Sequence, residues 1–190
     1  GYESDLSQNL FFKIRLDVAR DLDNDRLSAY LKNAYVDWKY NNRSTLSLGL
    51  LSTNSNSIQE KNWGHRFISK AAPDRYGLTN TADFGIGYSV KLNALRGFKF
   101  LHLNVQILNG EGYKTTDSDG EPALYFSSVL GETNLSKNSG YNLGFILNVL
   151  PPIPDANDKT ILTGVFGGLS MSNWRFGLES YITNATEQYP

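Results

Sequence analysis

The sequence predicts an all-β fold of antiparallel strands arranged as the wall of a transmembrane barrel. Three observations lead there. Long segments alternate apolar and polar residues at every second position. These segments are about twice the usual globular strand length of about 5–6 residues. The connections between them alternate between short and long. In Phe11–Val18, Phe12, Ile14, Leu16 and Val18 share one side, and Lys13, Arg15 and Asp17 share the other. Successive strand side chains point to opposite faces, so such a segment has one apolar wall and one wet wall. In a transmembrane barrel the apolar wall faces lipid and the wet wall lines a pore.

Nine strand candidates follow in order: 9–20, 29–40, 44–51, 81–92, 98–108, 122–131, 140–150, 160–170 and 173–183. The first is the segment above. In the second, Ala34, Val36, Trp38 and Tyr40 oppose Asn33, Tyr35, Asp37 and Lys39, and the third follows a short Asn41-Asn42-Arg43 turn. The fourth carries Asp83, Ser89 and Lys91 opposite Phe84, Ile86, Tyr88 and Val90. In the fifth, Leu101, Leu103, Val105 and Ile107 oppose His102, Asn104 and Gln106. The seventh alternates Tyr141, Leu143, Phe145, Leu147 and Val149 with Asn142, Gly144 and Asn148; the ninth sets Arg175 and Glu179 against Trp174, Phe176 and Leu178. The sixth and eighth have apolar residues on both faces and no clean period. Aromatic residues near strand ends, namely Phe11, Tyr30, Trp38, Tyr40, Tyr88, Tyr141 and Trp174, match the interfacial girdles of membrane proteins. Outer-membrane barrels have short periplasmic turns and long extracellular loops, which places 21–28, 52–80, 109–121 and 151–159 outside. The 132–139 connection is long for a periplasmic turn. All 190 residues read as one β-barrel domain, or part of one.

Composition narrows the function classes. A net charge of −1 and scattered Lys and Arg offer no basic surplus for nucleic acid. There is no cysteine, hence no disulfide, thiolate metal site or cysteine nucleophile. No apolar run approaches the length of a membrane-spanning helix, whereas barrel strands need only about 9–11 alternating residues. A mean hydropathy of −0.37 is compatible with such strands. Gly1–Asp5 lacks the basic region and apolar stretch of a secretory leader, so the chain reads as mature or cut.

No reaction and no cofactor is expected. His65 and His102 are the two histidines, neither with a nucleophile motif, and Gly85 and Gly87 lie inside a strand. Asp21–Asp25 and Asp117–Glu121 begin like calcium loops but lack the EF-hand spacing, and their residues are ordinary turn formers. No metal site is assigned. The wet-face residues Lys13, Arg15, Asp17, Asp37, Lys39, Asp83, Lys91, Arg175 and Glu179 are expected to line the pore. Their mixed signs predict weak selectivity. The 52–80 connection carries Glu60, Lys61, Trp63, Arg66, Lys70, Asp74 and Arg75. Long loops in compact domains are often functional, and this one is expected to fold inward and narrow the pore with opposed charges. Lys114 and Lys137 are expected to be peripheral.

From Glu60 to Tyr113 the sequence resembles Gram-negative outer-membrane porins, notably the phosphate-selective-porin-like group. The residues that carry the resemblance are Glu60-Lys61-Asn62-Trp63-Gly64-His65-Arg66 with Lys70, Asp74-Arg75, Ala82-Asp83-Phe84-Gly85 and Asn109-Gly110-Glu111-Gly112-Tyr113. Lys32–Trp38, Leu48-Gly49 and Trp174–Glu179 are similar to the same group. The resemblance implies a water-filled barrel, usually of about 16 strands and often a trimer, that passes small solutes. It also implies the outer membrane as location, contact with membrane lipid or lipopolysaccharide, small hydrophilic solutes or ions as cargo, and no nucleic acid. Because the wet face mixes signs, the namesake's phosphate preference is not carried over. Nine is an odd strand number and too few for that pore, and Pro190 at the end cannot donate to a ladder, so the barrel is expected to be incomplete in this chain. Two other readings fit the same period: a soluble β-barrel or sandwich that binds a ligand, and an outer-membrane barrel enzyme.

Overall fold

A computed structural model describes residues 1–20, 27–93, 100–115, 120–152 and 159–184. Among them ten strands form one antiparallel sheet in simple sequence order. The strands are β1 (Tyr2–Asp5), β2 (Leu10–Arg20), β3 (Leu27–Asn41), β4 (Ser44–Ser52) and β5 (Ala82–Asn93). They continue with β6 (Phe100–Leu108), β7 (Ala123–Gly131), β8 (Gly140–Leu150), β9 (Thr160–Met171) and β10 (Trp174–Thr183). Two short helices, α1 (Ser57–Trp63) and α2 (Ala72–Arg75), lie in the connection between β4 and β5. Among the described residues no helix is long and apolar enough to cross a membrane.

The expected nine strands are all present, and the count is corrected to ten by β1. Four residues, Tyr2-Glu3-Ser4-Asp5, are too few and too polar to show a period. They become a strand because they pair with Phe11–Ile14 of β2, so the odd-number reason for incompleteness falls. Each strand from β2 onward pairs with the next by a ladder of backbone hydrogen bonds. A bulge after Arg15 of β2 places Arg15 opposite Asn33 and Leu16 opposite Leu31, leaving Lys32 as the extra residue, and a second register shift falls between Lys39 and Asn41 of β3. No pairing joins β1 to β10 among the described residues, so the sheet is open along β10 and along the Leu16–Arg20 half of β2. The Asp21–Asp25 run and the Asp117–Asp119 part of the second turn run lie outside the described residues.

The two faces differ as the alternation requires. Leu16, Val18, Leu48, Phe84, Ile86, Val105, Ile107, Leu143, Val165, Phe176 and Leu178 are all exposed on one face. Phe12, Ile14, Leu103 and Phe145 on that face are partly exposed, and none belongs to the buried core. The core lies on the other face, beneath the β4–β5 connection. Val129, Ile146, Leu162 and Phe166 pack there with Ile58, Leu78 and Tyr181. A second cluster joins Leu51, Leu108, Ala123, Tyr125 and Leu150, with Tyr35 against it. This explains the missing period at 122–131 and 160–170. Strands β7 and β9 are apolar on both faces because one faces outward and the other seats a loop.

Candidate functional site

The β4–β5 connection folds onto the polar face of the sheet and is held by amide and hydroxyl side chains that the alternation aims at it. Asn54 donates its Nδ2 to Asn104 Oδ1 at 2.8 Å, and its backbone N–H reaches Gln106 Oε1 at 3.0 Å, both on β6. Asn148 of β8 donates to Ser55 Oγ at 2.7 Å. Asn62 and Asn142 exchange two amide bonds, 2.8 and 2.7 Å, with both side chains buried. Gln59 donates to Tyr181 Oη at 3.2 Å. Glu179 of β10 accepts from the Ala72 N–H at 2.9 Å and from Tyr181 Oη at 2.8 Å, tying α2 to the wall. Helix α1 ends at Gly64, whose φ of 76° is the left-handed conformation that glycine adopts without strain. A Cβ at Gly168 would stand 2.7 Å from both Asn62 and Leu135, so the absent side chain lets loop and wall approach.

The charged residues of the connection form a network rather than a scatter. Arg66 contacts Glu60 at 2.5 Å and Asp74 at 2.8 Å, and Lys70 contacts the other oxygen of Asp74 at 3.0 Å. Arg75 donates to Ser69 Oγ at 3.0 Å, and Trp63 donates its indole N–H to the Ser69 carbonyl at 3.1 Å. Trp63, His65 and Phe67 stack edge-to-face, with ring centroids 5.3 and 5.7 Å apart. Lys61 stands apart. Solvent reaches its side chain, yet protein surrounds it closely enough that lost hydration holds its amine below the ordinary value. The like charges of Lys13 and Lys137 push it the same way.

Among the described residues, two large cavities and a smaller one of about 240 Å³ flank the connection. Toward the short turns lies one of about 1050 Å³, lined by Lys39, Arg43, Ser57, Lys61, Lys91 and His102 among others. Toward the long connections lies one of about 610 Å³, lined by Asp17, Lys32, Arg66, Lys70, Asp74 and Tyr113 among others. At this second end the 109–115 stretch reaches back to β2. Tyr113 donates its hydroxyl to Asp17 at 2.8 Å, and Lys32 lies 3.4 Å from the same carboxylate. Burial, then that carboxylate, raises the Tyr113 phenol above its ordinary range.

Of the expected pore-lining residues, Lys39 and Lys91 line the first cavity and Asp17 the second. Lys13 is paired with Glu3 at 2.6 Å, and Asp37 accepts from Ser47 at 2.5 Å. Arg15 shares their face and pairs opposite Asn33. Asp83 is buried at 2% exposure, accepting the Phe84 N–H at 2.7 Å and the Gly110 N–H at 2.6 Å. Asp83 thereby holds a connection instead of facing a cavity. Arg175 reaches the Ser136 carbonyl at 3.2 Å and Glu179 anchors α2, so both secure connections. Of the loop residues, Lys61 lines the first cavity and Arg66, Lys70 and Asp74 the second. Lys114, expected to be peripheral, lines the second cavity.

The sequence reading missed the amide ladder, Arg43, Lys32 and Tyr113. Asn142, Asn148 and Gln106 were visible as wet-face positions, but a lone polar strand residue does not announce a loop as its partner. The aromatic rim also sorts itself. Trp38, Tyr40, Tyr88, Tyr141 and Trp174 are exposed at the short-turn end, with Tyr40 and Tyr88 hydroxyls 3.4 Å apart and Trp174 stacked on Phe176. Phe11 instead pairs opposite Asp37 on the polar face, and Tyr30 lies under Lys114 at the far end. Among the described residues no cluster of acids and histidines could hold a metal ion. No family model, curated protein or solved structure matches the chain.

Proposed function

We propose that this chain forms the wall of a water-filled outer-membrane channel of porin type, through which small hydrophilic solutes or ions diffuse passively. The observation that carries the reading is the inversion of the sheet: the large aliphatic and aromatic side chains of long strands are exposed on the face away from the loop. The charged and amide groups are gathered on the loop-bearing face around two cavities. A water-soluble protein rarely leaves so broad an apolar surface uncovered, whereas hydrocarbon makes it the stable surface. Strands of 9–15 residues from β2 to β10 suit a tilted crossing. The exposed aromatics at the short-turn rim suit an interface.

In this reading the β4–β5 connection is the constriction, held against β6, β8 and β10 by the amide ladder. Transport needs no reaction, and no catalysis is assigned. The open edges of β10 and β2 pair with further strands, of the same polypeptide or of another chain, because an unpaired backbone group in hydrocarbon costs several kcal/mol. A Gram-negative outer membrane and a homo-oligomer, a trimer as the resemblance implies, complete the proposal. Reconstitution into planar bilayers tests it: stepwise ohmic conductance is expected. Recovery of a folded, monodisperse protein that needs no detergent would sink it.

A further inference from the structure

We propose that the cavity of about 240 Å³ between the β4–β5 connection and strands β9 and β10 binds a small, flat, neutral molecule with one hydrogen-bond donor, of the phenol class. The inference goes beyond the channel reading and stands without it. Trp63 and Phe166 supply aromatic walls, and Gln59 and Asn62 of α1 bring amides. By alternation Gly177 faces the connection, as Arg175 and Glu179 do. At Gly168, its cross-strand partner, a Cβ would stand 2.7 Å from Asn62, so close approach demands glycine there. Gly177 is under no such demand. Its φ is not left-handed, and a Cβ would lie 3.5 Å from the Trp63 backbone nitrogen and 3.6 Å from Asn62 Cβ, ordinary contacts. Glycine inside a strand weakens it. What the missing side chain leaves at Gly177 is the space under Trp63.

The polar side chains of the lining are engaged, except at one atom. Lys70 is held by Asp74 at 3.0 Å, and Glu179 accepts from the Ala72 N–H and from Tyr181 Oη. Asn62 exchanges amide bonds with Asn142. Ser69 Oγ donates to the Lys70 carbonyl and accepts from Arg75. Gln59 is 5% exposed, and its Nε2 donates to the Ser55 carbonyl at 2.6 Å and to Tyr181 Oη at 3.2 Å. A carbonyl only accepts, which fixes the orientation of this amide. Gln59 Oε1 is buried and accepts from no group among the described residues. An acceptor buried without a donor is costly, and a ligand O–H would satisfy it. Lys70 and Glu179 are both occupied, so the site selects no ion. Aromatic walls with one placed polar group are the usual build of a small-molecule site. A dry cavity of about 150 Å³ takes a benzene ring, so this one has room for a substituted ring.

The experiment titrates the full chain in detergent with para-cresol and with its methyl ether, which keeps the ring but has no donor. Saturation-transfer NMR reads both, with the signal of protein-free micelles subtracted. Para-cresol is expected to bind roughly tenfold more tightly than the ether, the difference between satisfying a buried acceptor and leaving it bare. Gly177→Ala places a methyl in the cavity without a clash and should weaken para-cresol several-fold while the circular dichroism of the sheet is unchanged. Lys159→Gln, outside the cavity, should leave both affinities as they are. Equal affinity for the two probes, or para-cresol binding untouched by Gly177→Ala, overturns the site. So does binding no greater than that of empty micelles. Each of these outcomes is independent of whether the chain conducts.

Discussion

Asn62 and Asn142 show at the residue scale how the polar face is used. Each donates to the other, and Asn142 also donates to the Glu132 carbonyl at 2.5 Å, inside a contact closed to solvent. Asn142→Ala strands the Asn62 amide, which should cost about 1–3 kcal/mol. Replacing both residues with Leu removes donors and acceptors together and should cost less. Urea unfolding in detergent compares the two, and a double variant no more stable than the single would contradict this account. Lys61 supplies the pH dependence. Its amine sits below the ordinary lysine value because of burial and the charges of Lys13 and Lys137, against which Glu60 pulls upward. Between the lowered folded value and the ordinary unfolded value, the unfolded chain binds more protons, so stability rises with pH through that alkaline window. Selectivity moves the other way. As pH climbs toward the lysine range, anion preference should fall, and fall at higher pH or less steeply in Lys61→Gln. Reversal potentials across a pH series read this directly.

At the scale of elements, the outer face of β5 and β6 and the β4–β5 connection make separate demands. Ile86 is 41% exposed at the middle of β5, opposite Leu48 on one side and Ile107 on the other. Ile86→Arg should cost roughly 2–4 kcal/mol in a bilayer, measured by reversible unfolding from lipid. A change under half of that would argue that this face does not meet hydrocarbon. In the connection, Arg66 and Lys70 compensate Glu60 and Asp74. In the channel reading, neutralising both basic groups leaves two carboxylates beside the passage, so the reversal potential should shift toward cations and conductance should change. Lys159, paired loosely with Glu121 at 3.5 Å near the far connections, should matter much less. An equal effect at both places would make the connection external decoration.

For the whole molecule, the consequence is the open sheet. β10 offers ten residues with one hydrogen-bonding side unused by β9, and β2 offers its Leu16–Arg20 half. In hydrocarbon those groups require partners. In lipid, amides on both sides of β10 should exchange slowly, as those of β8 between two neighbours do. Fast exchange confined to the outer side of β10, with conductance retained, would mean that the edge is solvated and the barrel is not continued there.

The sequence by itself determined the strands and their faces. An alternation such as Ala82–Lys91 leaves no other regular way to separate Phe84, Ile86 and Tyr88 from Asp83, Ser89 and Lys91. It could not show β1, which exists only through its partner, nor why β7 and β9 lacked a period. Their second apolar face makes sense only once Ile58 and Leu78 are packed on it. Site residues divide along the same line. Which groups were wet was legible, but which wet groups face a cavity was decided by tertiary contacts. Asp83 and Arg175 read like lining residues and turned out to hold connections, whereas Glu179 both anchors α2 and lines a smaller cavity of about 240 Å³. Lys114 read as peripheral and lines the second cavity. The physical reason is that a two-residue period assigns a side chain to a face. Its partner on that face depends on how loops some 30 to 120 residues away fold back, as in the Asn54–Gln106 and Gln59–Tyr181 pairs, and no local pattern encodes that.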